Sequence, residues 1–205
     1  MSSLRDRRKR QDSFYRRAKR EGYAARSVFK LEQLDQRFRL LAPGRRVLDL
    51  GCRPGSWLQY ACTRVGAAGH VVGLDRSQLD GPTPGNATVV VGDVLEIEPE
   101  RLRAALPGGG CFHLVLSDMA PDTTGIPFTD QVRSAELFER ALELAVLLGC
   151  EGSGFVGKIF MGQGFQTALA EVRRHYRRTK TVKPEATRKS SSEVYVVATD
   201  RTVAT

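Results

Sequence analysis

The stretch Arg46-Val-Leu-Asp-Leu-Gly-Cys-Arg-Pro-Gly-Ser-Trp57 decides the fold class of this chain of 205 residues. Its first five residues form a short, mainly apolar run that is typical of a buried strand, and the run ends at a glycine turn. Residues 56–65 then show a helical pattern, and His70-Val-Val-Gly-Leu-Asp75 is a second strand that ends in an acid. A strand, a helix and a second strand in this order predict a crossover in which the two strands are parallel.

The same alternation continues on both sides of this unit. Further strands are predicted at 88–91, 113–118, 154–160 and 193–199, and further helices at 28–38, 130–148 and 166–176. This pattern predicts a single α/β domain of the doubly wound, Rossmann-like type, with a mostly parallel sheet and helices on both faces. In the helix at 130–148, the period places Val132 and Phe138 on the apolar side. We expect the domain at 13–200, between a basic tail at 1–12 and a short tail at 201–205.

Basic residues are concentrated near the two ends of the chain. Residues 1–46 hold fifteen lysines and arginines against five acids, and residues 171–189 hold eight against two, while the remainder is acidic. Such patches either solvate the surface or bind a polyanion, and nucleic acid is the polyanion that we favour. In the first patch we expect RNA contacts from five side chains: Arg16, Arg17, Lys19, Arg20 and Arg26.

The sequence contains no sign of a membrane segment. No apolar run approaches the roughly 20 residues that a membrane-spanning helix needs, and the basic N-terminus lacks the apolar segment of a secretory signal. An Arg-rich start could also belong to an organelle import sequence, but patterned sequence begins by Ser13. We therefore expect a cytoplasmic protein without membrane contact, and nothing in the sequence requires more than a monomer.

The spacing of the four cysteines in the sequence does not indicate a disulfide or a metal site. Cys52, Cys62, Cys111 and Cys150 form no C-x-x-C motif and no metal-ligand spacing with the three histidines. We expect all four to be small core or loop residues in a reducing compartment, and we expect no metal site.

Glycines or acids follow the first four predicted strands, where a doubly wound sheet binds its ligand. The loop Gly51–Trp57 is not the G-x-G-x-x-G of dinucleotide-binding proteins, because its glycines stand at 51 and 55 and it contains Pro54. It therefore suits a ligand without phosphate. Asp75 could accept hydrogen bonds from the hydroxyls of an adenosine ribose, and Asp93 could bind the amine of adenine. Alternatively, these residues are turn glycines and helix-capping aspartates.

Charged residues also occur at places where the sheet is expected to be buried. Lys158 stands in Phe155-Val-Gly-Lys-Ile-Phe160, where alternation places it on one face of a buried strand. Since a buried ammonium is usually paired or neutral, Lys158 is either a functional residue or a lysine at the exposed end of the strand. Taken singly, three others could be ordinary surface or turn residues: Lys30, Asp118 and Glu193.

Four strings resemble the FtsJ/RrmJ family of RNA 2′-O-ribose methyltransferases: Ala25-Arg-Ser-Val-Phe-Lys-Leu31, Leu116-Ser-Asp-Met-Ala-Pro121, Val156-Gly-Lys-Ile-Phe160 and Ser191-Ser-Glu-Val-Tyr195. The resemblance extends from about Ser13 to Asp200. It places the family's Lys-Asp-Lys-Glu tetrad, in order, on Lys30, Asp118, Lys158 and Glu193. It implies transfer of a methyl group from S-adenosyl-L-methionine to a ribose 2′-hydroxyl, with Lys158 as the general base and without a metal. By the same resemblance, cofactor contacts are expected at Gly51, Gly55, Trp57, Asp75, Asp93 and Asp118.

The first loop departs from the family's pattern. Family members commonly carry Ala-Ala-Pro-Gly-Gly-Trp, whereas this chain has Cys52-Arg-Pro-Gly-Ser-Trp57. Arg53 could pair with the methionine carboxylate of the cofactor, or crowd it. Asp122 stands where many bacterial relatives have Asn, at a place that can affect RNA contacts.

The resemblance implies ribosomal RNA as the substrate, with a uridine in the large ribosomal subunit as the target. A tRNA 2′-O-methyltransferase is an alternative, because Asp12-Ser-Phe-Tyr-Arg-Arg-Ala-Lys19 also resembles the opening of tRNA-modifying relatives. A second alternative is an RNA-binding ribosome assembly factor whose catalysis is secondary. A nucleotide-dependent oxidoreductase is disfavoured by the missing G-x-G-x-x-G.

Overall fold

The computed structural model describes residues 13–188 and 190–202. The predicted tail at 1–12, Lys189 and residues 203–205 lie outside the described residues. The helices are α1 (13–20 among the described residues), α2 (Val28–Phe38), α3 (Ser56–Val65), α4 (Pro99–Ala104), α5 (Pro127–Leu148) and α6 (Phe165–His175). The strands are β1 (Arg46–Leu50), β2 (His70–Asp75), β3 (Ala87–Val91), β4 (Phe112–Ser117), β5 (Gly149–Phe160), β6 (Tyr176–Val182) and β7 (Glu193–Arg201).

The seven strands form one sheet in the order β3-β2-β1-β4-β5-β7-β6. Each of the neighbouring pairs β3–β2, β2–β1, β1–β4 and β4–β5 is parallel. Strand β7 runs antiparallel to both β5 and β6. The sheet is therefore mostly parallel, as predicted. After β1 the chain builds β2 and β3 on one side and then crosses to β4 on the other, which leaves a crevice at the carboxyl ends of β1 and β4.

Helices cover both faces of the sheet, because the strand side chains alternate between two apolar clusters. Leu48, Leu50 and Val115 pack in the cluster with α5 and α6. Val47 and Leu116 pack in the other, with residues of α2 and α3. This alternation is the period of two expected for strands buried on both faces.

Several details differ from the sequence prediction. Helices α1 and α4 and strand β6 are additional elements, and β5 begins at Gly149 and not at the predicted residue 154. Tyr176, predicted to end α6, instead begins β6. Strand β6 lacks the apolar alternation that predicts a strand, because it lies at the edge of the sheet. Tyr176 is buried, but most of its other residues are exposed and polar. Val132, predicted on the apolar side of α5, is 43% exposed. Strand β7 extends to Arg201, one residue past the predicted end of the domain.

The expectation that all four cysteines are unpaired is wrong for two of them. Cys111 and Cys150 form a disulfide, with their Cα atoms 5.0 Å apart. Phe112 pairs with Gly149 in the β4–β5 ladder, so the sheet register brings together cysteines that are 39 residues apart in the chain. Cys52 and Cys62 are buried free thiols, and burial raises the pKa of Cys62 to about 12.

Among the helices of the described residues, none is both long and apolar enough to cross a membrane.

Candidate active site

The carboxyl ends of β1, β2, β3 and β4 open onto a cavity of about 260 Å³, which we call the acidic cavity. It lies at the crevice where a doubly wound sheet binds its ligand. Four of the residues predicted to bind a cofactor line it: Gly51, Asp75, Asp93 and Asp118.

Asp75 is held at the edge of the acidic cavity by two backbone amides. Its Oδ2 accepts a hydrogen bond from the amide of Arg53 at 3.1 Å, and its Oδ1 accepts one from the amide of Ser77 at 3.2 Å. Since each carboxylate oxygen has a further lone pair, both oxygens can accept another hydrogen bond. The amides thus fix the orientation of the carboxylate and leave it able to bind hydroxyl groups.

Asp93 and Gly51 shape the rest of the acidic cavity. The Oδ1 atom of Asp93 accepts a hydrogen bond from the amide of Leu95 at 3.0 Å, which orients this second carboxylate. Gly51 has a φ of +74°, and a Cβ atom there would lie 2.5 Å from Cγ of Met119. Glycine is therefore required for the first loop to pass so close to Met119, which also lines the cavity.

The structure does not bring Gly55 or the side chain of Trp57 to the acidic cavity. Gly55 lines a neighbouring cavity of about 270 Å³ instead. The Trp57 side chain is buried, its Nε1 donates a hydrogen bond to the carbonyl of Ser27 at 2.9 Å, and its ring lies 5.8 Å from the ring of Tyr195. Trp57 thus connects the first loop to the start of α2 and to β7, and direct cofactor contact by Gly55 and Trp57 stays a prediction.

Arg53, the departure in the first loop, is engaged by an acid of this chain. Its Nη2 lies 2.7 Å from Oδ1 of Asp80, and its Nε lies 3.3 Å from Oδ2 of the same residue. The pair is well exposed. The Arg53 guanidinium is therefore occupied by Asp80 and does not stand free for a ligand carboxylate.

Asp118 connects the acidic cavity to Lys158. The ammonium of Lys158 donates to the backbone carbonyl of Asp118 at 2.6 Å and lies 3.1 Å from its Oδ1. Lys158 is 7% exposed. It is therefore a buried and paired lysine, and the alternative of a lysine at the exposed end of the strand is wrong. Two contacts to one residue hold the Lys158 nitrogen beside the cavity that Asp118 lines.

Tyr195 is a third member of this cluster. Its hydroxyl donates to Oδ1 of Asp118 at 2.5 Å, and the residue is fully buried. Tyr195 stands opposite Lys158 in the ladder between β5 and β7, which brings both side chains to the same carboxylate. Burial and the negative charge of Asp118 raise the pKa of Tyr195 well above its ordinary value, so the phenol remains a donor.

Lys30 and Glu193 form a second pair next to the first. The Lys30 nitrogen lies 2.6 Å from Oε1 of Glu193, and both side chains are largely buried. It also lies 5.6 Å from the centre of the Tyr195 ring. Tyr195 therefore contacts both pairs, one through its hydroxyl and the other through its ring. The structure gathers all four predicted tetrad residues in one cluster, with the Tyr195 ring between the two pairs.

The charges around Asp118 keep it ionised. Burial by itself would raise the pKa of Asp118, but the ammonium groups of Lys158 and Lys30 and the hydrogen bond from Tyr195 outweigh burial and lower it. Asp118 thus remains a negative charge against which Lys158 is held.

Asp49, inside β1, has the opposite environment. It is 1% exposed, and neither carboxylate oxygen has a hydrogen-bond partner among the described residues. Burial, together with the negative charges of Asp118 and Asp75, raises the pKa of Asp49 to about 8. Asp49 is therefore mostly protonated at neutral pH.

A second pocket, of about 410 Å³, lies on the other side of the Lys30–Glu193 pair. We call it the basic pocket, because two arginines contribute to its lining: Arg26, before α2, and Arg188, before β7. Lys30 and Glu193 line it as well, so this pair separates it from the Asp118 cluster.

The remaining residues predicted to bind RNA lie on α1. Lys19 and Arg20 are exposed, and Arg20 has only a long 3.8 Å contact with Glu21. Arg17 forms ion pairs with Glu21 and Glu32 and covers the ring of Phe29, so it helps to pack α1 against α2. Arg16 is exposed. Their roles in RNA binding stay predictions.

Sequence reasoning missed Tyr195 and Arg188. Alternation from Glu193 places Tyr195 on the same strand face, which was an available signal. Arg188 lies in an irregular segment after β6, where no period indicates which side chains face a site.

Comparison with known proteins gives a consistent result. Residues 23–201 match the model of the FtsJ-like methyltransferase family. The chain is 47% identical over 186 residues to a protein of Desulfatibacillum aliphaticivorans named ribosomal RNA large subunit methyltransferase E, covering 91% of this chain and 88% of that protein. It is also 47% identical over 196 residues to a Sorangium cellulosum protein of the same name, covering 96% and 91%.

A solved structure from Plasmodium falciparum, described as a ribosomal RNA methyltransferase, has the same fold. It superposes with a TM-score of 0.78 at 24% identity, covering 87% of this chain and 98% of that one. At this identity the likeness concerns the fold alone.

Proposed function

The chain belongs to the FtsJ-like methyltransferase family, and on that premise we propose that it transfers a methyl group from S-adenosyl-L-methionine to a ribose 2′-hydroxyl of RNA. The relatives named ribosomal RNA large subunit methyltransferase E make large-subunit ribosomal RNA the favoured target, and the family resemblance implies a uridine within it. The observation that carries the proposal is the position of Asp118, which lines the acidic cavity and binds Lys158 at the same time.

The acidic cavity fits the proposed methyl donor. Three aspartates and two arginines, Arg53 and Arg76, line the cavity, and Arg53 is paired with Asp80. The lining therefore carries a net negative charge that favours a cationic ligand over the pyrophosphate of a dinucleotide, in agreement with the absence of G-x-G-x-x-G from the first loop. Asp75, with free lone pairs on both oxygens, would bind the ribose hydroxyls, and Asp93 would bind the adenine amine. When bound, the donor supplies an electrophilic methyl group on its sulfonium.

Lys158 would act as the general base. A ribose hydroxyl is a poor nucleophile, so its proton should be taken as the oxygen attacks. Lys158 must be neutral at that moment in order to accept the proton. The Asp118 carbonyl and carboxylate hold the Lys158 nitrogen in place, so that alignment contributes to the rate. Glu193 would orient Lys30 or the hydroxyl.

The experiment that tests the proposal is transfer of labelled methyl groups to RNA from a strain that lacks the gene. The fractions are free ribosomal RNA, tRNA and intact large subunits. We expect label in large subunits, recovered as 2′-O-methyluridine, and none with Lys158→Ala. Arg103→Ala, at a basic residue of α4 outside both basic segments of the chain, serves as the control.

Each other outcome supports a different function. Label in tRNA alone would favour the tRNA methyltransferase. Cofactor binding without transfer to any fraction would contradict the enzymatic proposal and favour the ribosome assembly factor.

We also propose a cytoplasmic location, where bacterial ribosomal RNA is found, and a monomeric state. Disulfides are uncommon in that compartment, so the Cys111–Cys150 pair would be expected to be partly reduced there.

A further inference from the structure

Two arginines line the basic pocket, the half-buried Arg26 and the exposed Arg188. Neither Arg26 nor Arg188 forms an ion pair or a side-chain hydrogen bond with any other described residue. Burial and the positive charge of Arg188 lower the pKa of Arg26 and outweigh the opposing negative charge of Glu193. Both guanidinium groups remain charged at neutral pH. Two like charges that line one pocket favour binding of an anion between them.

Neighbouring groups strengthen this preference. Lys30 and Glu193 neutralise each other, so the two arginines give the basic pocket a net positive charge. Ser191 lines it too, and its hydroxyl oxygen already accepts the amide of Glu193, which leaves the hydroxyl proton to be donated. The backbone bond from the Ser191 amide to the Arg188 carbonyl closes a turn that keeps both residues on one side.

The position of the pocket indicates which anion it binds. It borders the Lys30–Glu193 pair, and this pair lies beside the cluster that holds Lys158. In RNA, the 2′-hydroxyl is on C2′, and the adjacent carbon, C3′, bears the phosphodiester that leads to the following nucleotide. A ribose with its 2′-hydroxyl at Lys158 therefore carries a phosphate close by, and arginine is well suited to bind phosphate oxygens in pairs.

We infer that Arg26 and Arg188 together bind the phosphodiester on the 3′ side of the methylated ribose, with Ser191 as an additional donor. The inference rests on the proposed function. The bound phosphate fixes the sugar so that its 2′-hydroxyl faces Lys158. The two arginines are thus substrate-positioning residues that contribute nothing to cofactor binding.

The test compares the steady-state kinetics of Arg26→Gln, Arg188→Gln and the double variant on the RNA fraction that the wild-type protein methylates. Arg103→Gln, at an exposed arginine paired with Glu100 on α4, is the matched control. We expect kcat/KM to fall by about 10-fold to 100-fold in each single variant, since a charged hydrogen bond is lost, and further in the double variant. Affinity for S-adenosyl-L-methionine should not change.

A charge contact also predicts two readouts that loss of structure would not produce. Arg26→Lys should recover part of the activity lost in Arg26→Gln, and the deficit of the double variant should shrink as the salt concentration rises. Activity of both single variants within about 3-fold of wild type would overturn the inference. An equal loss in Arg103→Gln, or loss of cofactor affinity, would overturn it as well. Absence of transfer by the wild-type protein would instead refute the proposed function.

Discussion

The acidic cavity and the basic pocket lie at the same edge of the sheet but differ in how their charges are held. In the acidic cavity, backbone amides orient the carboxylates of Asp75 and Asp93. In the basic pocket, the guanidinium groups of Arg26 and Arg188 have no partner among the described residues. The first arrangement suits a small cation bound in one orientation, and the second suits a polyanion that supplies its own negative charge.

The two regions meet at the tetrad. The Asp118–Lys158 pair belongs to the acidic side and the Lys30–Glu193 pair to the basic side, with Tyr195 in contact with both. A site that joins a cationic methyl donor to an anionic acceptor needs its reactive groups at such a boundary. The comparison predicts that substitutions on one side will spare binding on the other.

The largest effect is expected at the boundary itself. Lys158→Ala should reduce kcat by about 10³-fold, the scale of a general base, and leave the affinity for S-adenosyl-L-methionine unchanged. Lys158→Arg should fail as well, because a guanidinium stays protonated. Single-turnover transfer and titration calorimetry measure the two quantities. Near-wild-type turnover in either variant would remove Lys158 from the role of base.

A smaller effect is expected in the acidic cavity. Asp75→Ala should weaken cofactor affinity by about 10-fold to 100-fold, because hydrogen bonds to a charged acceptor are lost, while RNA affinity stays the same. Glu100→Ala is the control, since it breaks only the exposed pair with Arg103 on α4. Calorimetry with the cofactor and filter binding with RNA separate the two sides. A parallel loss of RNA affinity would show that the two sites are not independent.

Tyr195→Phe should have an intermediate effect on turnover, about 10-fold, from loss of one hydrogen bond to a charged group. The hydrogen bond from Tyr195 lowers the pKa of Asp118, so its removal should raise that pKa. Titration of the Asp118 carboxyl by NMR spectroscopy in both proteins measures this rise directly. The ring packing against Trp57 is kept, so the fold should survive. An unchanged Asp118 pKa together with wild-type turnover would mean that Tyr195 serves packing alone.

Charge reversal on α1 should act on RNA only, and by a few-fold. Lys19→Glu with Arg20→Glu should weaken RNA binding at low salt and reduce its salt dependence. The same reversal of Arg16 and Arg17 should also loosen the packing of α1, because Arg17 pairs with Glu32. Affinities measured over a range of salt concentrations decide the point. Unchanged RNA affinity in the Lys19 and Arg20 variant would mean that these side chains only interact with solvent and do not bind RNA.

Asp49→Asn should change stability and leave transfer intact. The pKa of Asp49 is raised to about 8 in the folded protein, above the value of about 3.9 in an unfolded chain. Its contribution to stability is therefore full below pH 4 and is lost as the pH rises through 8, at up to about 1.4 kcal/mol per pH unit. Asparagine should abolish that part of the decline, which denaturant titrations from pH 5 to 9 measure. Identical pH dependence in both proteins would contradict this environment for Asp49.

Local sequence pattern was sufficient to predict much of the fold of this molecule. The bounds of α2, α3 and β2 follow from apolar period and glycine turns, and the order of elements predicts a mostly parallel sheet. The same order places Asp75, Asp93 and Asp118 at neighbouring strand ends, because parallel strands end at one edge. The tetrad was identified by resemblance and not by spacing.

Tertiary structure alone decided which of these residues touch. The Tyr195–Asp118 bond spans 77 residues of sequence and depends on the β5–β7 ladder. The Cys111–Cys150 pair depends on the β4–β5 ladder in the same way. Period in a sequence reports which face of one element is buried, whereas a contact between distant residues requires the order and register of several strands. The sequence thus determined most of the elements, but not α1, α4 or β6, and the sheet determined the partners.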